Sequence, residues 1–137
     1  MDYQGFIGDH LIWKNFSEMS TKQTGNYGEE LACEYLKKHG YKILERNYLI
    51  RGGEIDIVAQ DGGYLVFVEV KARWSHEYGL PSESMTPWKI KAMLKTAKFY
   101  LNRVNWGDKG YRLDFISLDF SDSKENPKIE LIRNITL

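Results

Sequence analysis

The chain has 137 residues, of which 42% are hydrophobic and 28% are charged, a composition typical of one globular domain with an apolar core. Lysine and arginine together number 19, as do aspartate and glutamate, so bulk charge is excluded as a means of holding nucleic acid and only a local patch remains. The single cysteine, Cys33, excludes an intrachain disulfide and a cysteine-based zinc cluster. No apolar run reaches the ~20 residues of a membrane span, and no signal-peptide pattern is present. We therefore expect a cytoplasmic domain that does not contact the membrane.

The first predicted elements are a helix and three strands. Residues 1–24 show no sustained period, and we interpret them as an extension of a domain that spans residues 25–137. The domain opens with a predicted helix from Asn26, in which apolar residues recur at helical spacing and which Gly40 ends as a C-terminal cap. The strand-like runs YKILERNYLI, EIDIVAQ and YLVFVEVKA follow.

The second half of the chain begins with a loop, RWSHEYGLPSESM, before another predicted helix. Thr86 has the side chain of an N-cap, Pro87 suits the first helical position, and the helix is expected to reach Val104. Two strand-like runs, YRLDFISLDF and KIELIRNI, complete the order α-β-β-β-α-β-β, which predicts an α/β fold with a mixed sheet flanked by helices. The buried stripe of the second helix is predicted to consist of Ile90, Met93, Leu94, Ala97, Leu101 and Val104.

The run GGEIDIVAQDGGYLVFVEVKAR predicts a β-hairpin with its turn at residues 62–63. In that register Asp56 lies opposite Glu69, and Glu54 lies opposite Lys71. Because side chains alternate along a strand, these four charged residues share one face of the sheet. The opposite face is predicted to be core, formed by Ile55, Ile57, Ala59, Val66, Val68, Val70 and Ala72.

The pairing of Asp56 with Glu69 is the unusual feature of this hairpin. A salt bridge explains Glu54 opposite Lys71, whereas like charges directly opposite destabilise a sheet by up to ~1 kcal/mol. A buried carboxylate costs more still unless it is paired, protonated or bound to a metal. Two carboxylates about 4.8 Å apart both reach one hard cation such as Mg²⁺. The alternative is a solvated ladder of charges on an exposed sheet face.

Asp56 and the tripeptide Glu69-Val70-Lys71 resemble the PD-(D/E)xK nuclease signature, with Ile55 in place of its proline. The preceding helix, with Glu29 near its start, is similar to that of the archaeal Holliday junction resolvases of this superfamily. More closely, the segments GEELACEYL, RGGEIDIVAQDGGYLVFVEVKAR and RLDFISL resemble the YraN-like family of small bacterial proteins, over about residues 25–120. The resemblance implies a restriction-endonuclease-like fold.

The resemblance also implies roles for single residues. Asp56 and Glu69 would be metal ligands, Glu29 would contact the metal from the facing helix, and Lys71 would hold or activate the attacking water. The implied activity is hydrolysis of phosphodiester bonds in DNA, including branched DNA, with Mg²⁺ or Mn²⁺ as cofactor. Cleavage of both strands of a junction needs a two-fold homodimer. Two alternatives stay open: a non-catalytic module that keeps the nuclease fold and binds nucleic acid or protein, and a structural partner protein whose charges are salt-bridged.

Positive charge is concentrated on the second predicted helix and in the loop before it. A solvated helix face is the default interpretation of such a run, and a track for DNA phosphates is the functional one. In the loop, the aromatic residues Trp74 and Tyr78 are interleaved with Arg73 and His76, and aromatic rings in such a pattern can stack on unpaired bases. The candidate nucleic-acid contacts are Arg73, Lys89, Lys91, Lys95 and Lys98.

Three further features have structural interpretations. If Asn26 is the N-cap of the first helix, Glu29 completes a capping box without any active site. Arg112 and Asp114, two residues apart on the fourth predicted strand, are expected to form an ion pair beside the core. Cys33 lies on the apolar side of its helix and is expected to be a buried small residue.

Overall fold

A computed structural model describes residues 21–77 and 79–136. Most of the predicted extension 1–24, and Tyr78, lie outside the described residues. The predicted order α-β-β-β-α-β-β is confirmed, with a short 3₁₀ helix at Pro81–Ser84 in the loop. The elements are α1 Thr21–Lys38, β1 Lys42–Ile50, β2 Gly53–Asp61, β3 Tyr64–Arg73, α2 Pro87–Arg103, β4 Tyr111–Asp119 and β5 Lys128–Ile132.

The strands form one five-stranded sheet in the order β1-β2-β3-β4-β5. Strands joined by short turns pair antiparallel, as β1 with β2, β2 with β3 and β4 with β5. Strands β3 and β4 pair parallel, because α2 carries the chain back along the sheet between them. The predicted mixed sheet is therefore confirmed. Neither helix of the described residues is long and apolar enough to cross a membrane.

Each face of the sheet carries a buried cluster beneath one helix. The two clusters follow from the alternation of side chains along β2 and β3, which sends neighbouring residues to opposite faces. The α1 cluster contains Ala32, Cys33, Leu36, Ile57, Ala59, Val66, Val68 and Ile116. The α2 cluster contains Tyr48, Ile55, Val58, Leu65, Phe67, Met93, Ala97, Tyr100 and Leu113. The hairpin therefore contributes buried side chains to both clusters. The prediction of a buried Cys33 is confirmed.

Helix α1 differs from its prediction at one end. It already includes Thr21–Gly25, so Asn26 lies inside the helix and the capping-box interpretation of Glu29 is wrong. Thr, Lys and Gln are acceptable in a helix, and Gly25 adds a cost of only ~0.5–1 kcal/mol. The other end is as predicted, since Gly40 adopts a φ of 90° and ends the helix.

Helix α2 begins as predicted. The side chain of Thr86 accepts a hydrogen bond from the Lys89 N–H at 3.2 Å, and Pro87 is the first helical residue. The buried stripe is partly corrected: Thr96 and Tyr100 are buried, whereas Val104 is 40% exposed. Val104 follows the last turn of the helix as its C-cap.

The predicted ion pair on β4 is confirmed and belongs to a larger network. Asp114 is fully buried and accepts from Arg112 Nε at 3.0 Å, from the Tyr41 hydroxyl at 2.8 Å and from the Asn134 N–H at 3.0 Å. Arg112 Nη2 also donates to Asp61 Oδ2 at 2.6 Å. The network holds β2, β4 and the residues after β5 together near the β2–β3 turn.

Candidate functional site

The two strands of the hairpin separate where the acidic residues begin. Their ladder follows the predicted register from the turn as far as Ile57 opposite Val68. Beyond that point the Val70 N–H donates to Asp56 Oδ2 at 2.8 Å. A side-chain carboxylate thus satisfies a backbone donor that the parting strands would otherwise leave without an acceptor.

The separation corrects two details of the predicted hairpin. Ile55 packs in the α2 cluster, so its predicted place beside Ile57 is wrong. The alternation breaks at Asp56, whose side chain bonds to the backbone of β3. The predicted salt bridge between Glu54 and Lys71 is also wrong, since none of the ion pairs of the described residues joins them. The ladder has ended before the level of these two residues.

Asp56 and Glu69 come together as the sequence predicts, and each disturbs the other. Burial raises the pKa of Glu69, the charge of Asp56 raises it further, and the result is about 8. When protonated, Glu69 donates a hydrogen bond to Asp56. Burial also raises the pKa of Asp56, against the opposing hydrogen bond from Val70. The pair therefore retains a proton near neutral pH when no cation is present.

A pocket of about 270 Å³ opens beside this pair, between the end of the hairpin and the first half of α2. On the sheet side it is lined by Gly53, Glu54, Asp56 and Glu69. On the helix side it is lined by Lys89, Ala92, Met93 and Thr96. Acidic groups thus face a cationic side chain across a space that admits a small ligand.

Lys71 lies two residues beyond Glu69 on β3 and is half-buried. Burial lowers its pKa, and the positive charges of Arg73 and Lys89 lower it further. None of the ion pairs of the described residues includes Lys71. An amine with a lowered pKa and no ion pair is suited to exchange a proton or to hold an anion.

Glu29 approaches the site from α1. Burial raises its pKa, and the charge of Asp56 adds to that rise. Its Oε1 atom is buried, accepts no hydrogen bond from the described residues, and lies 3.7 Å from Arg46 Nη2. Glu29 is thus close enough to Asp56 for their charges to interact, and its Oε1 atom is in an ion pair with Arg46 but accepts no hydrogen bond from any described residue.

The donor set suits a hard divalent cation, although the ligands are fewer than predicted. Asp56 and Glu69 offer oxygen atoms only, and burial raises the pKa of both by more than the nearby positive charge of Lys71 lowers it. Within the described part of the chain, no three His, Cys, Asp or Glu side chains lie together as ligands of one ion. The structure therefore joins Asp56 to Glu69 and leaves Glu29 outside that pair.

Comparison with known proteins gives the family. The model of "Uncharacterised protein family UPF0102" matches residues 28–118. A UPF0102 protein of Dehalococcoides mccartyi is 46% identical over 113 residues, which cover 82% of this chain and 92% of the relative. A UPF0102 protein of Geobacter metallireducens is 47% identical over 116 residues, covering 85% of this chain and 93% of that protein.

The chain belongs to the UPF0102 family. This confirms the resemblance to the YraN-like family. The matched segment runs from the middle of α1 to the end of β4, so it contains Glu29, Asp56, Glu69 and Lys71 together with all of α2. Strand β5 lies outside it.

In this UPF0102 protein the predicted nucleic-acid contacts divide into two groups. Lys89 lines the pocket, and Arg73 is half-buried and close enough to Lys71 to lower its pKa. The other lysines, Lys91, Lys95 and Lys98, are exposed on α2 and do not line the pocket. Of the lysines predicted to contact DNA phosphates, Lys89 is therefore the one that lines the pocket.

Two rings of the loop after β3, those of Trp74 and His76, make contacts within the domain. Trp74 stacks on Phe120 with ring centroids 4.1 Å apart. His76 Nε2 contacts Asp119 Oδ2 at 2.6 Å and the Ser121 hydroxyl at 3.1 Å. Both side chains are engaged within the domain, so they fasten the loop to the end of β4.

Gly53 and Thr96 are among the pocket-lining residues that the sequence analysis did not identify. Thr96 is a polar residue on the buried stripe of α2, and a polar side chain among apolar neighbours is the sequence feature that could have indicated a site there. Gly53 lies so close to Thr96 that an added Cβ would overlap the Thr96 Oγ1 atom. For Gly53 that feature is a glycine at the start of a strand, which often marks a place where the backbone passes close to another element.

Proposed function

We propose that this UPF0102 protein is a metal-dependent nuclease of the PD-(D/E)xK type that hydrolyses phosphodiester bonds in DNA, within the cytoplasm. The observation that carries the proposal is the meeting of Asp56 and Glu69 at the edge of a pocket, with the pKa of Glu69 raised to about 8. A protein gains no stability from two carboxylates that repel each other in a half-buried place. Strongly perturbed groups of this kind cluster at functional sites.

Asp56 and Glu69 would hold Mg²⁺ or Mn²⁺, both of which accept few protein ligands and keep several waters. Once bound, the ion supplies Lewis-acid polarisation of a phosphoryl oxygen and a water of lowered pKa. Glu29 stands outside the carboxylate pair and interacts with Asp56 through its charge, so it would act on the bound ion as a nearby negative charge.

The lysines supply positioning and charge. Lys89, across the pocket from Glu69, is placed to hold a phosphate and neutralise charge that develops on it. Lys71 has a lowered pKa and shares the side of β3 that carries Glu69, so it is placed to orient the attacking water and to take up or return its proton. Both roles need the lysines to be free of ion pairs with carboxylates.

The test is a cleavage assay with duplex, single-stranded, flap and four-way DNA, in Mg²⁺, in Mn²⁺ and in a chelator. Cleavage should require the metal, and Lys71→Ala should reduce its rate about a hundredfold or more. The matched control is Lys128→Ala, an exposed lysine on β5, which should cleave like the wild type. No cleavage of any substrate with either metal would contradict the proposal.

Metal binding is tested separately by titration calorimetry with Mn²⁺. Asp56→Asn removes a charge and should abolish binding, whereas Glu29→Gln should weaken it only slightly, since Glu29 stands outside the pair. Equal heats in the wild type and Asp56→Asn would show that the ion binds elsewhere. If the favoured substrate is a four-way junction, the protein should also have the mass of a two-fold dimer in solution.

A second candidate is a non-catalytic module that binds nucleic acid and keeps the nuclease fold. The observation in its favour is that no three carboxylates of the described residues lie together as ligands of one ion. Such a module would bind DNA with marked salt dependence. It would cleave no substrate, and Lys71→Ala would leave its affinity unchanged.

A further inference from the structure

Helix α2 has an exposed aromatic face that neither the core nor the pocket explains. Trp88 is 80% exposed and Phe99 is 54% exposed. They lie eleven residues apart, which is three helical turns, so both project from nearly the same line along the helix. Ala92 and Lys95, at intermediate positions on that line, are also exposed. We call these four residues the aromatic face.

The aromatic face is not part of the packing of α2 on the sheet. The helix buries a separate set of side chains, Met93, Thr96, Ala97 and Tyr100. An exposed Trp and Phe on one stripe keep a large apolar surface in water, and such patches mark sites of interaction. The packing of α2 on the sheet therefore leaves the aromatic face available to a ligand from outside the domain.

The charge around the aromatic face is positive without compensation from its own helix. The sequence of α2, PWKIKAMLKTAKFYLNR, contains no Asp or Glu. Lys91, Lys95 and Lys98 are exposed, and none of them forms an ion pair among the described residues. Only Arg103, at the end of the helix, has such a partner, since its guanidinium pairs with Glu45. In a chain of zero net charge, this concentration favours an anionic ligand.

The aromatic face is continuous with the pocket. Ala92 belongs to both, and Lys89, the neighbour of Trp88, lines the pocket. At the rise of an α-helix, positions 88 and 99 are about 16 Å apart along the helix axis, a span that several nucleotides of a strand can follow. Bases stack on aromatic rings and phosphates pair with lysines between them, whereas the bases of a duplex are already stacked on each other.

We infer that the aromatic face binds an unpaired strand of DNA and guides it to the pocket. The inference rests on the proposed function, in that the guided strand is the substrate of the nuclease. It narrows the substrate class to DNA with a single-stranded segment, such as a flap, an overhang or an opened junction. Trp88 and Phe99 supply the stacking surfaces, and Lys91, Lys95 and Lys98 supply the charge.

The test is the anisotropy of a labelled oligothymidine of about 15 nucleotides, titrated with the full chain in a chelator. Trp88→Leu and Phe99→Leu should each raise the Kd between about fivefold and a hundredfold, since a stacked base is worth about 1–3 kcal/mol. Trp88→Phe should bind like the wild type because it keeps a ring. A duplex of the same length should bind more weakly than the single strand.

The controls separate stacking from other effects. Ile132→Ala removes an exposed apolar side chain from β5, which is the edge strand at the other end of the sheet from β1. This variant should leave the Kd unchanged. Lys95→Gln should lower the slope of log Kd against log salt by about 0.7, as expected for one lost phosphate contact with a single strand. Both ring positions are exposed, so the variants should melt like the wild type.

Three outcomes overturn the inference. One is wild-type affinity in both leucine variants, and another is tighter binding of the duplex or of an RNA of the same length. The third is a fall in molar mass in Trp88→Leu by light scattering without a change in Kd, because the aromatic face then joins two copies of the chain. Binding is measured without metal, so the two claims can fail separately. A protein that binds the single strand but cleaves no DNA refutes only the nuclease proposal. An active nuclease whose leucine variants bind like the wild type refutes only this inference.

Discussion

The Asp56 carboxylate accepts a backbone hydrogen bond and also interacts with Glu69. One oxygen accepts the Val70 N–H, which fixes the side chain where the strands part. Burial raises the pKa of Glu69 and the charge of Asp56 raises it further, so the metal-free pair is held together by a proton in place of a cation. Binding of a divalent ion would then release that proton, and the affinity for the ion would rise with pH.

The stability of the metal-free protein should fall as pH rises from about 4.5 to about 8. The pKa of Glu69 is raised in the folded state, so the folded protein binds more protons than the unfolded chain in this window, and each pH step upward favours unfolding. Glu69→Gln should flatten the dependence and raise the Tm at pH 8 by several degrees, at ~3 °C per kcal/mol. Thermal melting in a chelator measures both.

Glu130→Gln is the matched control for this pH dependence, since Glu130 is exposed on β5. It should keep the pH dependence of the wild type. Addition of Mn²⁺ should raise the Tm of the wild type most at high pH, where the pair has lost its proton. A Tm of the wild type that is level across the window would show that the two carboxyls do not interact.

The contact of α2 with β2 depends on a glycine. Gly53 passes beneath α2 at the pocket, and Thr96 Oγ1 occupies the space that a side chain at position 53 would need. Thr96 is itself held by a hydrogen bond from its Oγ1 to the Ala92 carbonyl at 3.1 Å. This close approach brings Lys89 and Glu69 to opposite sides of one small space.

Gly53→Ala should lower the free energy of unfolding by about 1–3 kcal/mol, because the new Cβ overpacks the contact with Thr96. The added change Thr96→Ala removes the clashing hydroxyl and should restore part of that loss. Gly63→Ala is the control, since nothing lies within 4 Å of its Cβ position. Urea unfolding of the variants measures the coupling, and strictly additive effects would contradict the close contact.

The two ends of the hairpin serve the whole molecule differently. At the turn end, the network around Asp114 is satisfied by hydrogen bonds from β4, from Tyr41 and from Asn134. At the other end, Asp56, Glu69 and Lys71 carry shifted pKa values and few partners. The domain thus separates a stabilising polar cluster from a functional one by the length of a strand.

Arg112→Met should lower the free energy of unfolding by about 3–5 kcal/mol, because it leaves the buried carboxylate of Asp114 without its cation. Below the melting temperature the variant should bind oligothymidine like the wild type, since the network is remote from α2 and the pocket. Chemical unfolding and anisotropy test the two halves of this prediction. A matching loss of DNA affinity in the folded variant would contradict the separation of the two ends.

The order of elements and the hairpin register were readable in the sequence, because local rules decide both. The Gly62-Gly63 turn fixes which residues face each other as far as Ile57 opposite Val68, and this register carries Asp56 and Glu69 to the same end of the hairpin. Thr86 and Pro87 mark the start of α2 in the same local way. The family resemblance rests on the same segments.

Only the tertiary structure decided where that regularity stops. Asp56 bonds to the backbone of β3, so the ladder ends, Ile55 moves to the other core and the expected Glu54–Lys71 bridge does not form. The pocket and the aromatic face depend on how α2 lies over β2, which the Gly53–Thr96 contact sets. Contacts between residues distant in the chain depend on packing, and periodicity within one segment carries no information about them.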